Sequence, residues 1–241
     1  EKEKSTRRTF IFGGKAAPGY LIAKLVIKFI NRLAEVINDD PATSKYLKVV
    51  FLPNYNVSAA ELLTTGADFN HQISCAGTEA SGTSNMKFVL NGSVIIGTHD
   101  GANIEIGEQV GGDNLIEFGL QTQDVLARRE ELKNSEDIFA TFPNSLKAVI
   151  DEIHKGTFGD SRSEWGMLLD SIKYSKDHYL IGTDFDSYIA AMDKADQIYK
   201  DQDKYTKMAI LNSLRSGAFS SDRCIREYAE KIWKVHSVKV S

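Results

Sequence analysis

The stretch Glu79-Ala-Ser-Gly-Thr-Ser-Asn-Met-Lys87 lies between two predicted strands, Asp68–Ser74 and Val94–Gly97. It is small and polar, and the apolar run Phe88-Val-Leu90 follows it directly. Ser, Thr and Asn are favoured at the N-cap of a helix, so the motif predicts a helix that starts within it. Gly92 then stands where a helix C-terminus accepts a residue with positive φ. These signals predict a strand–loop–helix–strand unit, in which the two strands run parallel.

The same alternation of strand and helix extends to both sides of this unit. Further strands are predicted at Thr9–Phe12, Leu47–Leu52 and Leu115–Phe118. Further helices are predicted from Pro18 to about Asn38, from a capping box that begins at Ser58, and from Asn103 to Val110. Because the strands are apolar throughout rather than alternating, they indicate a parallel sheet with helices on both faces. The predicted fold is therefore α/β, and ligands of such sheets bind beyond the carboxyl ends of the strands.

From Gln121 onward the pattern becomes helical with polar connections. Helices are predicted at about Gln123–Lys133, Asn144–Lys155, Trp165–Tyr174, Ser187–Tyr199, Lys204–Ser216 and Ser221–Val235. The sequence is accordingly divided into a lead-in at 1–8, an α/β part at 9–120 and a mostly helical part at 121–241. We expect the last two to belong to one domain.

Length and composition exclude several classes of protein. The chain has 241 residues, a formal net charge of −4, 42% hydrophobic and 26% charged residues. These values are ordinary for a globular domain and give no basic excess for nucleic acid. No run of about 18 apolar residues predicts a membrane span, and residues 1–8 lack the apolar core of a signal peptide. Two cysteines make no disulfide framework, so we expect a reduced, cytoplasmic protein.

The helix start in the opening motif suggests a specific chemistry. A helix N-terminus with free N–H groups binds anions. Lys87 follows Thr83 by four residues, so its amine lies on the same face, one turn further on. A phosphate site beside an amine fits a cofactor that carries a phosphate and an aldehyde, such as pyridoxal 5'-phosphate held as a Schiff base. The alternative from spacing alone is a capped helix with a solvated surface lysine.

Other motifs fail as functional sites. Gly14-Lys15 suggests a nucleotide-binding P-loop, but Ala16 stands where Ser or Thr is needed. The five histidines have neither i,i+4 spacing nor a nearby cysteine pair, so no metal site is predicted. Cys75, just before the opening motif, is interpreted as a small buried residue rather than a nucleophile.

Several blocks together resemble one known family, the α-glucan phosphorylases that act on glycogen, starch or maltodextrin. The opening motif resembles the segment that holds the family's cofactor lysine. Three further blocks occur in the family's order, namely Gly13-Gly-Lys-Ala-Ala-Pro-Gly-Tyr20, Asp100-Gly-Ala-Asn103 and Phe219-Ser-Ser-Asp-Arg223. The similarity runs from about Thr9 to Val235, and ordered motifs are far more specific than any one alone.

The resemblance implies an architecture and a place in it. The family has a glycosyltransferase-B architecture, in which two Rossmann-like domains face a crevice. This chain resembles most of the second domain, a three-layer parallel sheet followed by a helical region. We therefore expect a C-terminal fragment whose partner is the missing N-terminal half of the same protein. The full-length protein is expected to form a homodimer.

The resemblance also implies a reaction and its residues. The reaction is reversible phosphorolysis of a terminal α-1,4-linked glucose by inorganic phosphate, giving α-glucose 1-phosphate, with the phosphate of pyridoxal phosphate as proton shuttle. Lys87 would be the Schiff-base lysine, and Thr83 with the N–H groups of Gly82 and Ser84 would hold the cofactor phosphate. Glu79 and Ser81, with Gly82, would bind the glucose. The fragment alone is expected to be inactive.

Two positions depart from the family pattern. Asn56 stands where animal members have an arginine that reaches the cofactor phosphate, so it can donate hydrogen bonds but brings no charge. Ser84 replaces a glycine seen in some members.

Two alternative functions remain open from the sequence. One is a non-catalytic binding module that keeps the phosphorylase fold. The other is a nucleotide-sugar glycosyltransferase of the same architecture, which would leave the lysine segment without a purpose.

Overall fold

The computed structural model describes residues 6–160 and 162–238. Its first part alternates strands and helices, as the sequence predicts. The elements are β1 (Arg8–Gly13), α1 (Leu21–Asp39), β2 (Leu47–Leu52), α2 (Val57–Gly66), β3 (Phe69–Gln72), α3 (Ser84–Leu90), β4 (Val94–Thr98), α4 (Ala102–Val110) and β5 (Ile116–Phe118).

Helices follow β5 in the chain. They are α5 (Thr122–Lys133), α6 (Asn144–His154), α7 (Gly166–Tyr174), α8 (Ile181–Lys200), α9 (Gln202–Arg215) and α10 (Ser221–Glu227). Single 3₁₀ turns lie at Gly112–Asn114, Phe139–Thr141 and Ser216–Phe219. The predicted last helix changes character part-way, because α10 continues as a π-helix over Tyr228–Trp233.

All strand pairings are parallel, but they form two sheets rather than the single sheet expected. β1 pairs with β2, and β3, β4 and β5 form the second sheet with β4 in the middle. The two sheets meet where the Phe10 ring packs edge-on against His71, with ring centroids 5.8 Å apart. An ion pair of 2.7 Å between Arg8 and Asp196 also ties β1 to α8.

The three-stranded sheet is covered on both faces, which explains the continuous apolar run of β4. Every residue of β4 is buried. Val94 and Ile96 pack with Ile116 against the buried face of α8 and with Met208 of α9. On the opposite face, the neighbouring Ile95 packs against residues of α3 and α4. Removing apolar area from water on both faces is the main stabilising contribution to this region.

The two-stranded sheet is less covered within the described residues. Val49 is its one buried residue, while Ile11 is 49% exposed. The 19-residue α1 contains no buried residue, and Leu21 and Val26 at its apolar positions are exposed. The expected helix cover on both faces therefore holds for the sheet around β4 and not for β1 and β2.

Three predicted helix starts are wrong. The largest error is at α8, which begins at Ile181 and not at Ser187. Pro18 lies in a turn before α1, whose N-cap is Tyr20. Helix α2 is capped by Asn56, whose side-chain oxygen accepts a hydrogen bond from the Ala59 N–H at 3.1 Å, and not by Ser58. Asn is an N-cap at least as good as Ser, so the earlier residue takes the position.

Candidate functional site

The candidate residues lie in loops that leave the carboxyl ends of the strands. The loop after β2 leads to Asn56, the long loop after β3 carries Glu79 and Ser81, and the short loop after β4 carries Asp100. Since β3 and β4 are parallel, hydrogen-bonded neighbours, their two loops emerge side by side at one edge of the sheet. The site is built from this pair of loops.

Asp100 anchors the loop that carries Glu79. The residue is 4% exposed, and its carboxylate accepts hydrogen bonds from Ser74 Oγ at 2.6 Å, the Gly77 N–H at 2.8 Å and the Glu79 N–H at 2.9 Å. Burial acts to raise the pKa of this carboxyl, but the hydrogen bonds, led by the Ser74 hydroxyl, outweigh burial and lower the pKa overall. Asp100 is therefore an ionised group at neutral pH whose charge is satisfied by loop donors.

A second anchor follows immediately in the chain. The Ala102 N–H donates to the Ser81 carbonyl at 2.7 Å. Gly101 makes this approach possible, because a Cβ at that position would lie 2.7 Å from the same carbonyl oxygen and 3.1 Å from that of Glu79. Its φ of +51° also favours glycine. The main chain is thus fixed on both sides of Ala80.

A buried pair of amides holds α3 beside β4. Asn85 Nδ2 donates to Asn103 Oδ1 at 3.0 Å, and Asn103 Nδ2 donates to the Thr98 carbonyl at 3.1 Å. Both side chains are buried, so these bonds are shielded from competing water. Gly97 leaves room for them, because a Cβ there would come within 2.8 Å of Asn103 Nδ2.

Most of the candidate side chains lie exposed on this fixed frame. The exposed residues are Glu79, Ser81, Thr83, Ser84 and Lys87. Thr83 is the N-cap of α3 but makes no side-chain capping bond, so its hydroxyl is available to a ligand. The Ser84 hydroxyl instead pairs with the side-chain amide of Gln72 at 3.1–3.2 Å.

The start of α3 also offers backbone donors. Gly82 has φ of +84°, and a helix provides no acceptors for the N–H groups of its first turn. Because α3 is only seven residues long, its dipole adds little. An anion here would be bound by N–H groups and hydroxyls, with the Lys87 amine one turn further on.

Asn56 is placed differently from the other candidates. Its side chain is occupied at the start of α2, where Oδ1 caps Ala59 and Nδ2 donates to the Asn54 carbonyl at 3.0 Å. One amide hydrogen remains for a ligand, and α2 packs against α3. Asn56 therefore begins a helix that packs against α3, while most of its own hydrogen-bonding capacity is used locally.

Comparison with known proteins places this frame in a family. The family model described as carbohydrate phosphorylase matches residues 1–235. The chain is 49% identical to the glycogen phosphorylase of Synechocystis over 237 residues and 46% identical to that of Saccharomyces cerevisiae over 239 residues. It is 47% identical over 242 residues to the α-1,4 glucan phosphorylase L-2 isozyme of Solanum tuberosum.

The chain belongs to the carbohydrate phosphorylase family. In each of these three comparisons the match covers at least 98% of this chain but only 28%, 26% and 24% of the relative. The chain therefore spans about a quarter of the length of the curated phosphorylases it matches. The resemblance to this family stated from the motifs is confirmed.

No role was predicted for the residues that anchor the phosphorylase motif. Asp100 and Asn103 belong to one quoted block, and Asn85 lies inside the opening motif, but none was assigned a function. The sequence did contain a signal, because the polar residues His99 and Asp100 directly follow the apolar strand β4. A buried loop at this position needs hydrogen-bond partners for its backbone. Which backbone groups they would meet was not visible, because those groups lie on other loops.

Cys75 and His71, which were also considered from the sequence, can be placed in the structure. Cys75 is buried as predicted, and burial is the main cause that raises the pKa of its thiol. His71 accepts or donates a hydrogen bond of 3.2 Å with the Tyr188 hydroxyl.

Within residues 6–160 and 162–238, no three His, Cys, Asp or Glu side chains are grouped as metal ligands. None of the helices in this part of the chain is both long and apolar enough to cross a membrane.

Proposed function

We propose that this chain is part of an α-1,4-glucan phosphorylase. The reaction is reversible phosphorolysis of a terminal α-1,4-linked glucose by inorganic phosphate, which yields α-glucose 1-phosphate. The observation that carries the proposal is the anchored segment Glu79–Lys87, a loop and the start of α3, in a chain whose family match runs over residues 1–235. In this proposal the strands belong to the second Rossmann-like, three-layer domain of a glycosyltransferase-B architecture. The helical region after β5 belongs to the same domain.

Glu79 and Ser81 are the proposed sugar-binding side chains. Both are exposed at the carboxyl edge of the sheet while their backbones are fixed. A carboxylate accepts hydrogen bonds from hydroxyls more strongly than a neutral group does. A glucose whose hydroxyls face Glu79 is therefore oriented, and the small Gly82 next to Ser81 leaves it space.

The residues of this loop and of the start of α3 fit pyridoxal 5'-phosphate. Lys87 has an exposed amine that would hold the cofactor covalently, while the Thr83 hydroxyl and the N–H groups of Gly82 and Ser84 would hold its phosphate. When bound, the cofactor supplies a phosphate group able to transfer a proton beside the substrate phosphate. Asn56 would contribute at most one hydrogen-bond donor, since its other groups cap α2.

Partners and compartment belong to the same proposal. The remainder of the active site would come from residues outside this chain, and the intact protein would be a homodimer. The names of the relatives include a cytosolic α-glucan phosphorylase of Arabidopsis thaliana and a chloroplastic or amyloplastic one of Solanum tuberosum. We propose the cytoplasm, and fractionation of source cells would decide between the two compartments.

Borohydride reduction of the intact gene product tests the proposal. We expect a pyridoxyl mass on the peptide that contains Lys87, and release of glucose 1-phosphate from a glucan in phosphate buffer. Lys87→Ala should remove both, because no other amine follows the phosphate-binding turn at this spacing. The 241-residue chain alone should show no turnover.

A matched control is Lys207→Ala, which changes an exposed lysine of α9. This variant should keep the pyridoxyl mass and the activity. An unmodified Lys87 peptide in the active wild-type protein would overturn the cofactor assignment. A modified but inactive wild-type protein would favour the non-catalytic binding module.

A further inference from the structure

The position of the Glu79 carboxylate depends on the backbone that carries it. The side chain is exposed, and among the described residues no hydrogen bond or ion pair restrains its carboxylate. Its backbone N–H, in contrast, is bound to Asp100 Oδ2 at 2.9 Å. Whatever fixes this N–H therefore fixes where the carboxylate can reach.

Asp100 restrains three points of the loop at once. Oδ1 accepts from the Gly77 N–H at 2.8 Å, and Oδ2 accepts from both Ser74 Oγ and the Glu79 N–H. Within the described ranges 6–160 and 162–238 no cation forms a salt bridge to this carboxylate. Its charge is stabilised by the loop itself, so loop order and the ionised carboxylate depend on each other.

We propose that Asp100 is a positioning residue for sugar binding, which holds the 74–79 loop so that Glu79 meets the hydroxyls of the reacting glucose. This inference rests on the proposed role of Glu79. Asp100 itself is buried, and its carboxylate is bound by donors of the loop. It acts through the Glu79 N–H, and the adjacent contact of the Ala102 N–H with the Ser81 carbonyl completes the restraint.

The chemistry requires a carboxylate at this position. The two backbone donors use different oxygens, Gly77 on Oδ1 and Glu79 on Oδ2. Asparagine has one acceptor oxygen, so whichever way its amide is turned, one of these N–H groups faces an NH₂ group instead. The substitution keeps the size of the side chain and removes one restraint of the loop.

A double-mutant cycle in the intact gene product tests the proposal. Asp100→Asn should lower kcat/KM for phosphorolysis about a hundredfold, the effect expected from a misplacement of about 1 Å. In a Glu79→Gln background the same change should cost less than about threefold, since Asp100 acts through Glu79 and coupled residues are not additive. Equal effects in both backgrounds would overturn the proposal.

Hydrogen exchange provides a readout that does not depend on activity. Asp100→Asn should speed exchange of the amides of residues 76–82 at least about tenfold, while the buried amides of β4 keep their rates. If the loop rates stay unchanged, Asp100 does not hold the loop. Hydrogen exchange shows whether Asp100 restrains the loop even if the wild-type protein has no phosphorolysis activity. The absence of that activity would separately refute the proposed function.

Asp177→Asn is the matched control. Asp177 is also buried, at 1% exposure, and also accepts two backbone N–H groups, those of Ile181 and Gly182 at 2.8 Å. Its substitution should destabilise the start of α8 without the coupling to Glu79. Coupling of similar size for Asp177 would mean that the effect of Asp100 reports a general loss of stability, and the proposal would fall.

Discussion

The sheet around β4 and the pair β1–β2 are built from similar apolar strands but end in opposite environments. All five residues of β4 are buried between α8 and α9 on one side and α3 and α4 on the other. In β1 and β2, Val49 is the one buried residue, and the adjoining α1 has none. Strands of similar apolar pattern thus pair in both regions, but the described helices of this chain cover only one of the two sheets on both faces.

The candidate site lies at the edge of the sheet around β4, which is the better covered of the two sheets. Glu79 and Ser81 lie on a loop, and Lys87 on the helix α3 that follows it, which Asp100 and Asn103 attach to the end of β4. The β1–β2 side contributes only Asn56, and that side chain caps its own helix. The restrained backbone of the candidate site therefore lies where the chain buries both faces of its own sheet.

Matched isoleucine substitutions in the two sheets should show the largest difference. Ile96 is 1% exposed and Ile11 is 49% exposed. Ile96→Ala should lower the free energy of unfolding by about 3 kcal/mol, because it removes apolar contacts and leaves a cavity. Ile11→Ala should lower it by less than about 1 kcal/mol. Urea unfolding of the 241-residue chain measures both.

The same two substitutions, Ile96→Ala and Ile11→Ala, can also be compared in the intact gene product. If residues outside the chain cover β1 there, the effect of Ile11→Ala should rise towards that of Ile96→Ala. Similar losses already in the 241-residue chain would show that the contrast in burial is wrong.

The bounds of an element were predicted correctly where a single local signal indicated them. The bounds of β2 were predicted to the residue, because the apolar run Leu47–Leu52 ends at Pro53. Helix starts failed where two signals competed: Asn56 took the cap predicted for Ser58, and Pro18 was one of several turn residues before α1. The separation into two sheets depends on how strands meet in space, which no local pattern contains.

The candidate site likewise contains residues that local patterns predict and residues that they do not. The spacing within the opening motif predicted Lys87 as a ligand-binding residue, whereas the role expected for Glu79 came from the resemblance to the phosphorylases. The role of Asp100 was not predictable in this way, because its donors lie 21 to 26 residues earlier in the chain. Pairing Ser74, Gly77 and Glu79 with one carboxylate requires the register of β3 beside β4.

Matched glycine substitutions should give an intermediate difference. Gly101 has φ of +51°, and a Cβ there would lie 2.7 Å from the Ser81 carbonyl oxygen, whereas a Cβ at Gly14 would meet nothing within 4 Å. Gly101→Ala should destabilise the chain by about 2 kcal/mol through backbone strain and the close contact. Gly14→Ala should be neutral within about 0.5 kcal/mol.

Thermal unfolding of the two variants, with hydrogen exchange of residues 79–83, measures this contrast. The loop amides should exchange faster in Gly101→Ala only. A Gly101→Ala protein with wild-type stability and loop exchange would show that the loop after β4 does not approach Ser81 as closely as described.

The smallest expected effect concerns the junction between the two sheets. His71 of β3 contacts the Phe10 ring of β1 and the Tyr188 hydroxyl of α8. Burial, followed by the charge of Arg8, lowers the pKa of His71. The folded protein thus favours the neutral ring. Its stabilising contribution is complete above the unfolded pKa of about 6.5 and decreases as the pH falls through 6.5 towards the lower folded value.

Urea unfolding at about pH 7.5 and about pH 5.5, on either side of that value, measures the junction. Wild type should lose more stability on acidification than His71→Gln, which cannot take up the proton, and the excess should stay below the loss caused by Ile96→Ala. Acidification also protonates other groups in both proteins, so only the difference between them reports on His71. An equal loss in both would mean that the contact between β1 and β3 tolerates a charged imidazole, and that β1 is held mainly by the ion pair of Arg8 with Asp196 of α8.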